Sequence, residues 1–163
     1  MVDQPGEPSH IDIVEEYLKK SGGNRLLEIG INECEVVREI RRRGTNVDYT
    51  GVDINISNAG NPGGRIIGMD SRDFWKTLTE QDMWNVVFID GDHACPTVAI
   101  DMQEGKKHVP IGGFVLCHDI RDISEKATGA GGAFRDILLA DECFSCSVHP
   151  NHTDGMAIAQ RIK

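Results

Sequence analysis

The sequence predicts an α/β fold, a Rossmann-like open sheet that is mainly parallel, with helices on both faces and a C-terminal antiparallel β-hairpin. Short apolar runs that end in Gly or Asp alternate with segments of helical periodicity. Two of these runs, 86–89 and 114–117, are long enough for strands buried on both faces. The last two runs are joined by a turn-rich segment, 149–155, that is typical of a hairpin.

The elements follow one another along a chain of 163 residues that we expect to form a single domain, 1–163, with a helix and lead-in over 1–24. Ser9 is suited to cap that helix and Ser71 to cap a later one, and Pro96 is a favoured first helical residue. Residues 121–132 are rich in glycine and are predicted to form a flexible substrate lid. Strands are predicted at 25–30, 47–53, 65–69, 86–89, 114–117, 143–148 and 156–162, and further helices at 34–43 and around 134–138.

The composition excludes several classes of partner. A formal net charge of −9 disfavours nucleic acid and anionic membrane surfaces, because both would repel the chain. No apolar stretch approaches membrane-spanning length, and the first residues lack a signal-peptide pattern. The five cysteines are odd in number, which indicates reduced thiols. We therefore expect a cytoplasmic protein.

Acidic and imidazole side chains follow both central strands. Asp90, Asp92 and His93 come after the first, and His118 and Asp119 after the second. The segment between them is long enough for a helical crossover, which makes the strands parallel neighbours about 4.8 Å apart. Asp90 and Asp119 should then meet at the carboxyl edge of the sheet, where open α/β sheets bind ligands. Carboxylates this close repel one another unless they are protonated or bridged by a cation such as Mg²⁺.

A nucleoside-binding pattern lies nearer the N-terminus. The first strand runs into Gly30, a helix follows, and Asp53 ends the second strand 23 positions later, a spacing that suits an acid accepting both ribose hydroxyls. Dinucleotide-binding proteins share this pattern, so a nicotinamide-dependent enzyme stays an alternative. However, the turn lacks the G-x-G-x-x-G of such proteins, and Glu33 opposes a pyrophosphate. These features favour S-adenosylmethionine as the cofactor.

The successive motifs L-L-E-I-G-I-N, G-V-D-I, G-M-D-S, F-I-D-G-D-H, G-G-F-V-L-C-H-D-I and D-G-M-A-I-A resemble those of class I S-adenosylmethionine-dependent methyltransferases. They are most similar to the small-molecule O-methyltransferases of the macrocin and catechol type. The resemblance implies an S-adenosylmethionine-dependent methyltransferase that acts on a small-molecule hydroxyl. It also implies a cofactor site, with Glu28 and Gly30 on the methionine side, Asp53 on the ribose and Asp70 with Ser71 near adenine. Asn32, Ile54 and Asp90 complete the predicted site.

The same resemblance implies a division of roles at the acidic edge. Enzymes of the macrocin type place metal ligands at positions that correspond to Asp90 and Asp119, and a general base at the position of His93. His118 stands where related enzymes carry an oxygen donor, and we add it to the predicted ligands. The carboxylates favour Mg²⁺, whereas an imidazole ligand favours a transition metal. The prediction therefore includes either kind of cation. A metal that lowers the pKa of the hydroxyl and an imidazole that takes its proton suit methyl transfer to oxygen.

Simpler interpretations stay open. The second glycine usual in the first motif is missing, with Asn32 and Cys34 in its neighbourhood, so the chain could be a catalytically silent module that binds a nucleoside or a partner protein. Asp53 could only cap a turn, Asp90 and His93 could bond local backbone, and His118 could support a ligand rather than act as one. A zinc site at Cys143, Cys146, His149 and His152 is disfavoured, because residues three apart on a strand face opposite sides. The acceptor and any homo-oligomer are not encoded in these patterns.

Overall fold

The sheet has seven strands in the order β3-β2-β1-β4-β5-β7-β6 in a computed structural model that describes residues 8–94, 96–149 and 154–163. The strands are β1 Arg25–Ile29, β2 Asp48–Asp53, β3 Arg65–Gly68, β4 Val86–Ile89, β5 Phe114–His118, β6 Phe144–His149 and β7 Met156–Arg161. The first five pair in parallel, while β7 runs antiparallel to both β5 and β6. The predicted fold class is therefore confirmed, including the antiparallel strand pair at the C-terminal end.

Helices cover both faces of the sheet. The helices are α1 His10–Lys20, α2 Glu35–Arg42, α3 Ser71–Lys76, α4 Thr97–Gly105 and α5 Gly129–Phe134, and a π-helical segment Arg135–Leu139 continues α5. Alternate strand residues feed two apolar cores. One core packs α1 and α2 against residues such as Leu26 and Phe88, and the other packs α3, α4 and α5 against residues such as Leu27 and Val87. Among the described residues, no helix combines the length and apolarity needed to cross a lipid bilayer.

Two helix starts differ from the sequence-based prediction. Ser9 caps α1 as expected, in a capping box with Asp12. The third helix is capped by Asp70 rather than Ser71, since the Asp70 carboxylate accepts from the Arg72 N–H at 2.9 Å. Pro96 occupies the cap of α4 instead of its first turn. In each case the helix itself was predicted, and its boundary moved by one residue.

The glycine-rich segment was predicted wrongly as a loop through residue 132. Its last part forms α5, in which Gly131 and Gly132 are buried. A Cβ atom on Gly131 would lie 1.8 Å from the Asp122 carbonyl oxygen, and one on Gly132 would lie 2.6 Å from that of Ala127. These glycines therefore serve close packing between a helix and the preceding loop.

Strand order places the ligand site. From β1 the chain proceeds to β2 and β3 on one side, and from β4 it proceeds to β5 on the other. This reversal between β1 and β4 opens a crevice at their carboxyl ends, which is where doubly wound sheets bind ligands. The residues that follow β1, β2, β4 and β5 all face this edge. The segment 150–153 between the last two strands, together with Cys95, lies outside the described residues.

Candidate active site

A cavity of about 680 Å³ lies at the carboxyl ends of β1, β2 and β4. Its walls include every residue that the sequence predicted for cofactor binding: Glu28, Gly30, Asn32, Asp53, Ile54, Asp70, Ser71 and Asp90. Their proximity follows from the strand register, in which residues at the ends of neighbouring parallel strands lie side by side. The structure thus brings the predicted set to one place, while the role of each residue stays a prediction.

The turn after β1 keeps a left-handed backbone without the usual second glycine. Gly30, Asn32 and Cys34 have φ angles of 85°, 39° and 57°. Asn tolerates this region better than most residues, and Cys34 is fully buried with its N–H donating to the Ile31 carbonyl at 2.6 Å. The altered motif therefore forms the turn that the cavity requires.

Gly30 admits no side chain. A Cβ atom there would lie 2.4 Å from the Asp90 carbonyl oxygen and 2.5 Å from the Gly91 Cα. Because these are backbone atoms, they cannot move aside as a flexible side chain could. The turn after β1 is thus packed directly on the end of β4.

Asp53 shapes the same turn. Its Oδ2 accepts from the N–H groups of Ile31 and Asn32 at 3.0 and 3.3 Å, and its Oδ1 accepts from that of Asn55 at 2.9 Å. The turn-capping role that the sequence left open is therefore present. Each carboxylate oxygen can accept more than one hydrogen bond, and Asp53 also lines the cavity, so these contacts leave room for ribose hydroxyls.

The far end of the cavity is formed by Asp70, Ser71 and Ile54. Asp70 accepts a hydrogen bond from Arg72 at 2.6 Å, and this interaction lowers the pKa of the Asp70 carboxyl to about 2. Ile54 exposes 77% of its surface at the rim. An exposed apolar side chain beside a fixed carboxylate suits a flat ring with polar edges.

Glu28 is a buried carboxyl group below the turn. Burial raises its pKa to about 8, and the charges of Asp90 and Asp53 act in the same direction. The Tyr49 hydroxyl opposes this shift by donating to the Glu28 Oε2 at 2.5 Å. Glu28 therefore holds its proton at neutral pH, and a cationic ligand would favour its ionised form.

His93, Asp90 and Asp119 form a compact group beside the cavity. The His93 Nε2 lies 3.0 Å from the Asp119 Oδ2 and 3.9 Å from the Asp90 Oδ1, and one donor atom from each residue lies within 4.8 Å of the others. The three could hold a metal ion. Asp92 is not part of this group, because its Oδ1 turns to the Ala94 N–H at 3.0 Å.

His118 lies on the inner side of the same carboxylates. Its Nδ1 is 2.9 Å from the Asp90 Oδ1 and 3.6 Å from the Asp119 Oδ2. Burial lowers the pKa of His118, but the hydrogen bond and charge of Asp90, with the charges of Asp119 and Asp154, outweigh burial and raise it overall. The side chain is 14% exposed, against 41% for His93, so the two imidazoles occupy different environments around one carboxylate pair.

A second cavity of about 490 Å³ lies beyond this cluster. His93 and Asp119 line one side of it, and the other walls are the segment from Arg121 to Gly131, including Lys126 and Thr128. Arg121 donates to Asp154 at 2.7 Å and lies 3.5 Å from Asp119. The cluster of His93, Asp90 and Asp119 thus separates two cavities, and His93 is accessible from the second.

Sequence patterns missed His10, which lines the first cavity from the start of α1. Its ring stacks on Phe88 with centroids 6.3 Å apart and lies 5.5 Å from the His118 ring. Only the packing of α1 across the sheet brings it here, and no local spacing signals it. Of the disfavoured zinc set, Cys143 is exposed just before β6 and His152 lies outside the described residues.

The comparison with protein families shows to which family the chain belongs. Residues 16–120 match the model of a methyltransferase domain family. The chain belongs to this family. The predicted resemblance to class I methyltransferases is confirmed. A search of curated proteins finds no match.

Solved structures agree on the fold of this methyltransferase. The chain is similar to an O-methyltransferase from Bacillus cereus solved with SAH (14% identity, 96% of this chain and 84% of that one, TM-score 0.70). It is also similar to the O-methyltransferase TomG from Streptomyces achromogenes solved with SAM (15% identity, 98% of this chain and 83% of that one, TM-score 0.74). A third similar structure is MycE from the mycinamycin pathway, solved with Mg, SAH and mycinamycin VI (14% identity, 93% of this chain and 48% of that one, TM-score 0.64). Sequence identities of 14% and 15% establish that the fold is shared and nothing more.

The contact at Gly30 predicts a difference between two glycine substitutions. Gly30→Ala and Gly44→Ala both place a side chain at a φ near 85°, but an added Cβ at Gly44 would meet nothing within 4 Å. Gly44→Ala should cost about 1 kcal/mol of unfolding free energy, the backbone contribution alone. Gly30→Ala should cost at least about 2 kcal/mol more, because it also separates the turn from β4. Urea denaturation measures both, and equal costs would contradict the close contact.

The raised pKa of Glu28 predicts a pH-dependent stability. Between the unfolded pKa near 4.3 and the folded value of about 8, the folded protein retains a proton that the unfolded chain releases. The contribution of Glu28 to stability should therefore be largest below this window and fall as the pH rises through it. Glu28→Gln, which keeps an acceptor for Tyr49, should remove this dependence and gain about 2–4 kcal/mol relative to the parent between pH 5 and 8. Parallel pH profiles of the two proteins would contradict a buried, protonated Glu28.

Proposed function

We propose that this methyltransferase transfers the methyl group of S-adenosylmethionine to a hydroxyl oxygen of a small molecule, with His93 as general base and a divalent cation at Asp90 and Asp119. One observation carries the proposal. A cavity with the predicted cofactor residues in its walls adjoins an imidazole–carboxylate cluster, which a second cavity reaches from the other side. A methyl donor and a hydroxyl acceptor need such an arrangement, since in-line displacement requires them on opposite sides of the transferred group.

The cofactor would lie across the carboxyl ends of β1 and β2. Asp53 would accept the ribose hydroxyls, Asp70 and Ser71 would bond the adenine edge, and Ile54 would pack on its face. The methionine part would lie toward Glu28 and Asp90, with Gly30 and Asn32 forming the turn below it. Eight carboxyl side chains line this cavity, and a sulfonium is attracted to such walls while a pyrophosphate is repelled. Structures similar to this chain contain SAM or SAH.

His93 would accept the acceptor's proton. Its exposed imidazole faces the second cavity, and Asp119 at 3.0 Å orients the ring and stabilises its protonated form. The acceptor oxygen would bond to the methyl carbon as the bond from that carbon to sulfur breaks. The hydroxyl proton passes to His93, and the sulfonium leaves as the neutral thioether S-adenosylhomocysteine. The reaction thus consumes one positive charge on sulfur and creates one on the imidazole.

The donor set suits a divalent cation. Asp90 and Asp119 supply hard oxygen ligands within 4.8 Å of each other, and the two imidazoles beside them add borderline donors that a transition metal would accept. We assign the third position to His118, which is shielded and within 2.9 and 3.6 Å of the two carboxylates. This choice leaves the exposed His93 available as a base. When bound, the cation would lower the pKa of the acceptor hydroxyl.

The acceptor would enter through the second cavity, whose walls include the polar side chains of Arg121, Lys126 and Thr128. Similar structures are named for small-molecule methyltransferases, and MycE was solved with mycinamycin VI. These names support a small-molecule acceptor here. A cytoplasmic location is supported by the free thiols of the four described cysteines. The exclusion of nucleic acid and membranes stays a prediction from the sequence, and a homo-oligomer stays possible.

Cofactor binding tests the first part of the proposal. Calorimetry should detect binding of S-adenosylmethionine to the parent protein, and Asp53→Ala should weaken it at least tenfold because it removes acceptors for the ribose. Asp48→Ala is the matched control at the opposite end of β2, where the side chain is 65% exposed, and it should bind normally. If the folded parent protein does not bind S-adenosylmethionine, the proposed cofactor is wrong. Thermal protection by NADH alone would select a nicotinamide-dependent enzyme instead.

Metal use and base catalysis are tested separately. His93→Gln should reduce S-adenosylhomocysteine production from a panel of phenolic and sugar alcohols at least 100-fold while cofactor affinity stays unchanged. Asp90→Asn should abolish Mn²⁺ binding measured by calorimetry, and a chelator should suppress turnover until Mg²⁺ or Mn²⁺ is restored. Turnover that resists the chelator would leave metal-free base catalysis. Cofactor binding without product on any acceptor would instead favour a silent binding module.

A further inference from the structure

Asp101 is a buried carboxyl group that the proposed reaction does not use. It lies in α4 and is only 1% exposed, yet it forms part of the wall of the first cavity. Its Oδ1 accepts a hydrogen bond from the Trp75 Nε1–H at 2.8 Å. Its Oδ2 is buried and has no hydrogen-bond partner among the described residues. Because an unpaired buried oxygen is unfavourable, a ligand that donates to it would gain affinity.

The surroundings of Asp101 place its free oxygen on the cavity side. Trp75, which holds the other oxygen, belongs to the apolar core. Burial raises the pKa of Asp101, and the Trp75 N–H and the Ser71 hydroxyl oppose this shift. The charges of Asp70 and Asp92 raise the pKa further, and both residues line the cavity, as Ser71 does. A carboxylate oxygen can accept two hydrogen bonds, so the nearby Ser71 hydroxyl does not prevent a ligand from donating to it.

The wall around Asp101 is the end of the cavity that the proposed function gives to adenine. Asp70 at this end already accepts from three N–H groups of Arg72, the backbone N at 2.9 Å, Nε at 2.9 Å and Nη2 at 2.6 Å. Adenine carries one N–H donor group when it is joined to ribose, its 6-amino group, while its free ring nitrogens accept. A buried oxygen without a donor therefore complements the amino group of this base.

We propose that the Asp101 Oδ2 accepts a hydrogen bond from the 6-amino group of adenine and thereby selects adenine over other purines. The inference rests on the proposed cofactor and adds a specificity-determining residue from α4, outside the strand ends. The Trp75 N–H holds the other oxygen, which limits the freedom that the carboxyl group loses when adenine binds. Two donors on one carboxylate favour its ionised form. Asp101 takes no part in methyl or proton transfer.

The test compares two ligands that differ at this edge of the purine. S-Inosylhomocysteine has a carbonyl oxygen in place of the 6-amino group of S-adenosylhomocysteine, and a proton on N1. Calorimetry with both ligands measures how strongly each protein prefers adenine. The parent protein should prefer S-adenosylhomocysteine by about tenfold or more, because the carboxylate would otherwise meet an oxygen instead of a donor. Equal affinities, or tighter binding of S-inosylhomocysteine by the parent, would contradict the proposal.

Asp101→Asn gives the sharpest expectation. Its amide oxygen keeps an acceptor for Trp75, while its NH₂ group replaces the acceptor for adenine by a donor that suits the carbonyl of hypoxanthine. The preference for S-adenosylhomocysteine should therefore fall by about tenfold or more, with S-inosylhomocysteine bound more tightly than by the parent. Asp101→Ala also removes the acceptor, and it decides the question by the same fall in preference if the amide variant does not fold.

Asp73→Asn is the matched control. Asp73 lies on α3 with its side chain 65% exposed and paired with Lys76 at 2.7 Å, and it is not among the described residues that line the first cavity. The same loss of charge there should leave both affinities unchanged. Thermal melts establish that the compared proteins are folded.

The outcomes distinguish this inference from the proposed function. A preference that falls by less than about tenfold in the folded Asp101 variant, or equal weakening of both ligands, would overturn the role of Asp101 while leaving the cofactor in place. Failure of the folded parent protein to bind either ligand would overturn the proposed cofactor and this inference with it.

Discussion

The contact between Gly30 and the backbone of Asp90 and Gly91 is the constraint on which the site depends. It leaves no room for a Cβ atom, so the turn after β1 must rest directly on the end of β4. The hydrogen bonds between neighbouring strands continue into this contact. The Gly30 N–H donates to the Val52 carbonyl at 2.8 Å, and the Asp90 N–H donates to the Ile29 carbonyl at 2.9 Å. Three strand ends are thereby fixed against one another. The cavity wall and the acidic cluster consequently share one rigid support, which is what a transfer between two bound molecules requires.

Charge determines what this support can bind. The carboxylates around this cavity would repel a phosphate-bearing cofactor and attract a sulfonium, and the net charge of −9 extends that preference over the molecule. The protein limits the resulting self-repulsion in different ways at different residues. Glu28 stays protonated because it is buried, Asp70 is paired with Arg72, and Asp53 is bonded by three backbone N–H groups. Asp90 and Asp119 are left with imidazoles as their near partners. These two are the carboxylates for which a cation would bring the largest relief.

The sequence predicted the sheet and the position of the site because both depend on local patterns and on strand order. Buried strands read as apolar runs, and parallel neighbours bring the acids that follow them together, so the meeting of Asp90 with Asp119 could be expected in advance. Contacts that depend on how distant elements pack together could not be expected from the sequence. His10 reaches the cavity only because α1 crosses the sheet, and the Tyr49 hydroxyl meets Glu28 only through the register of β1 and β2. The glycines of α5 misled the prediction, since a residue chosen for close helix packing has the same signature as one chosen for a loop.

The two imidazoles give the cluster an inner and an outer side, and this asymmetry bears on which group would act as the base in the proposed reaction. His118 is the last residue of β5 and is held by Asp90 in a shielded position, so a proton received there could not easily reach solvent. His93 follows β4 in an irregular segment and faces an open cavity, so it can exchange protons with water between turnovers. A base must be regenerated in every cycle, whereas a ligand must stay in place. On this physical ground the exposed imidazole suits proton transfer and the shielded one suits coordination, although the exposed one belongs to the tighter three-residue group.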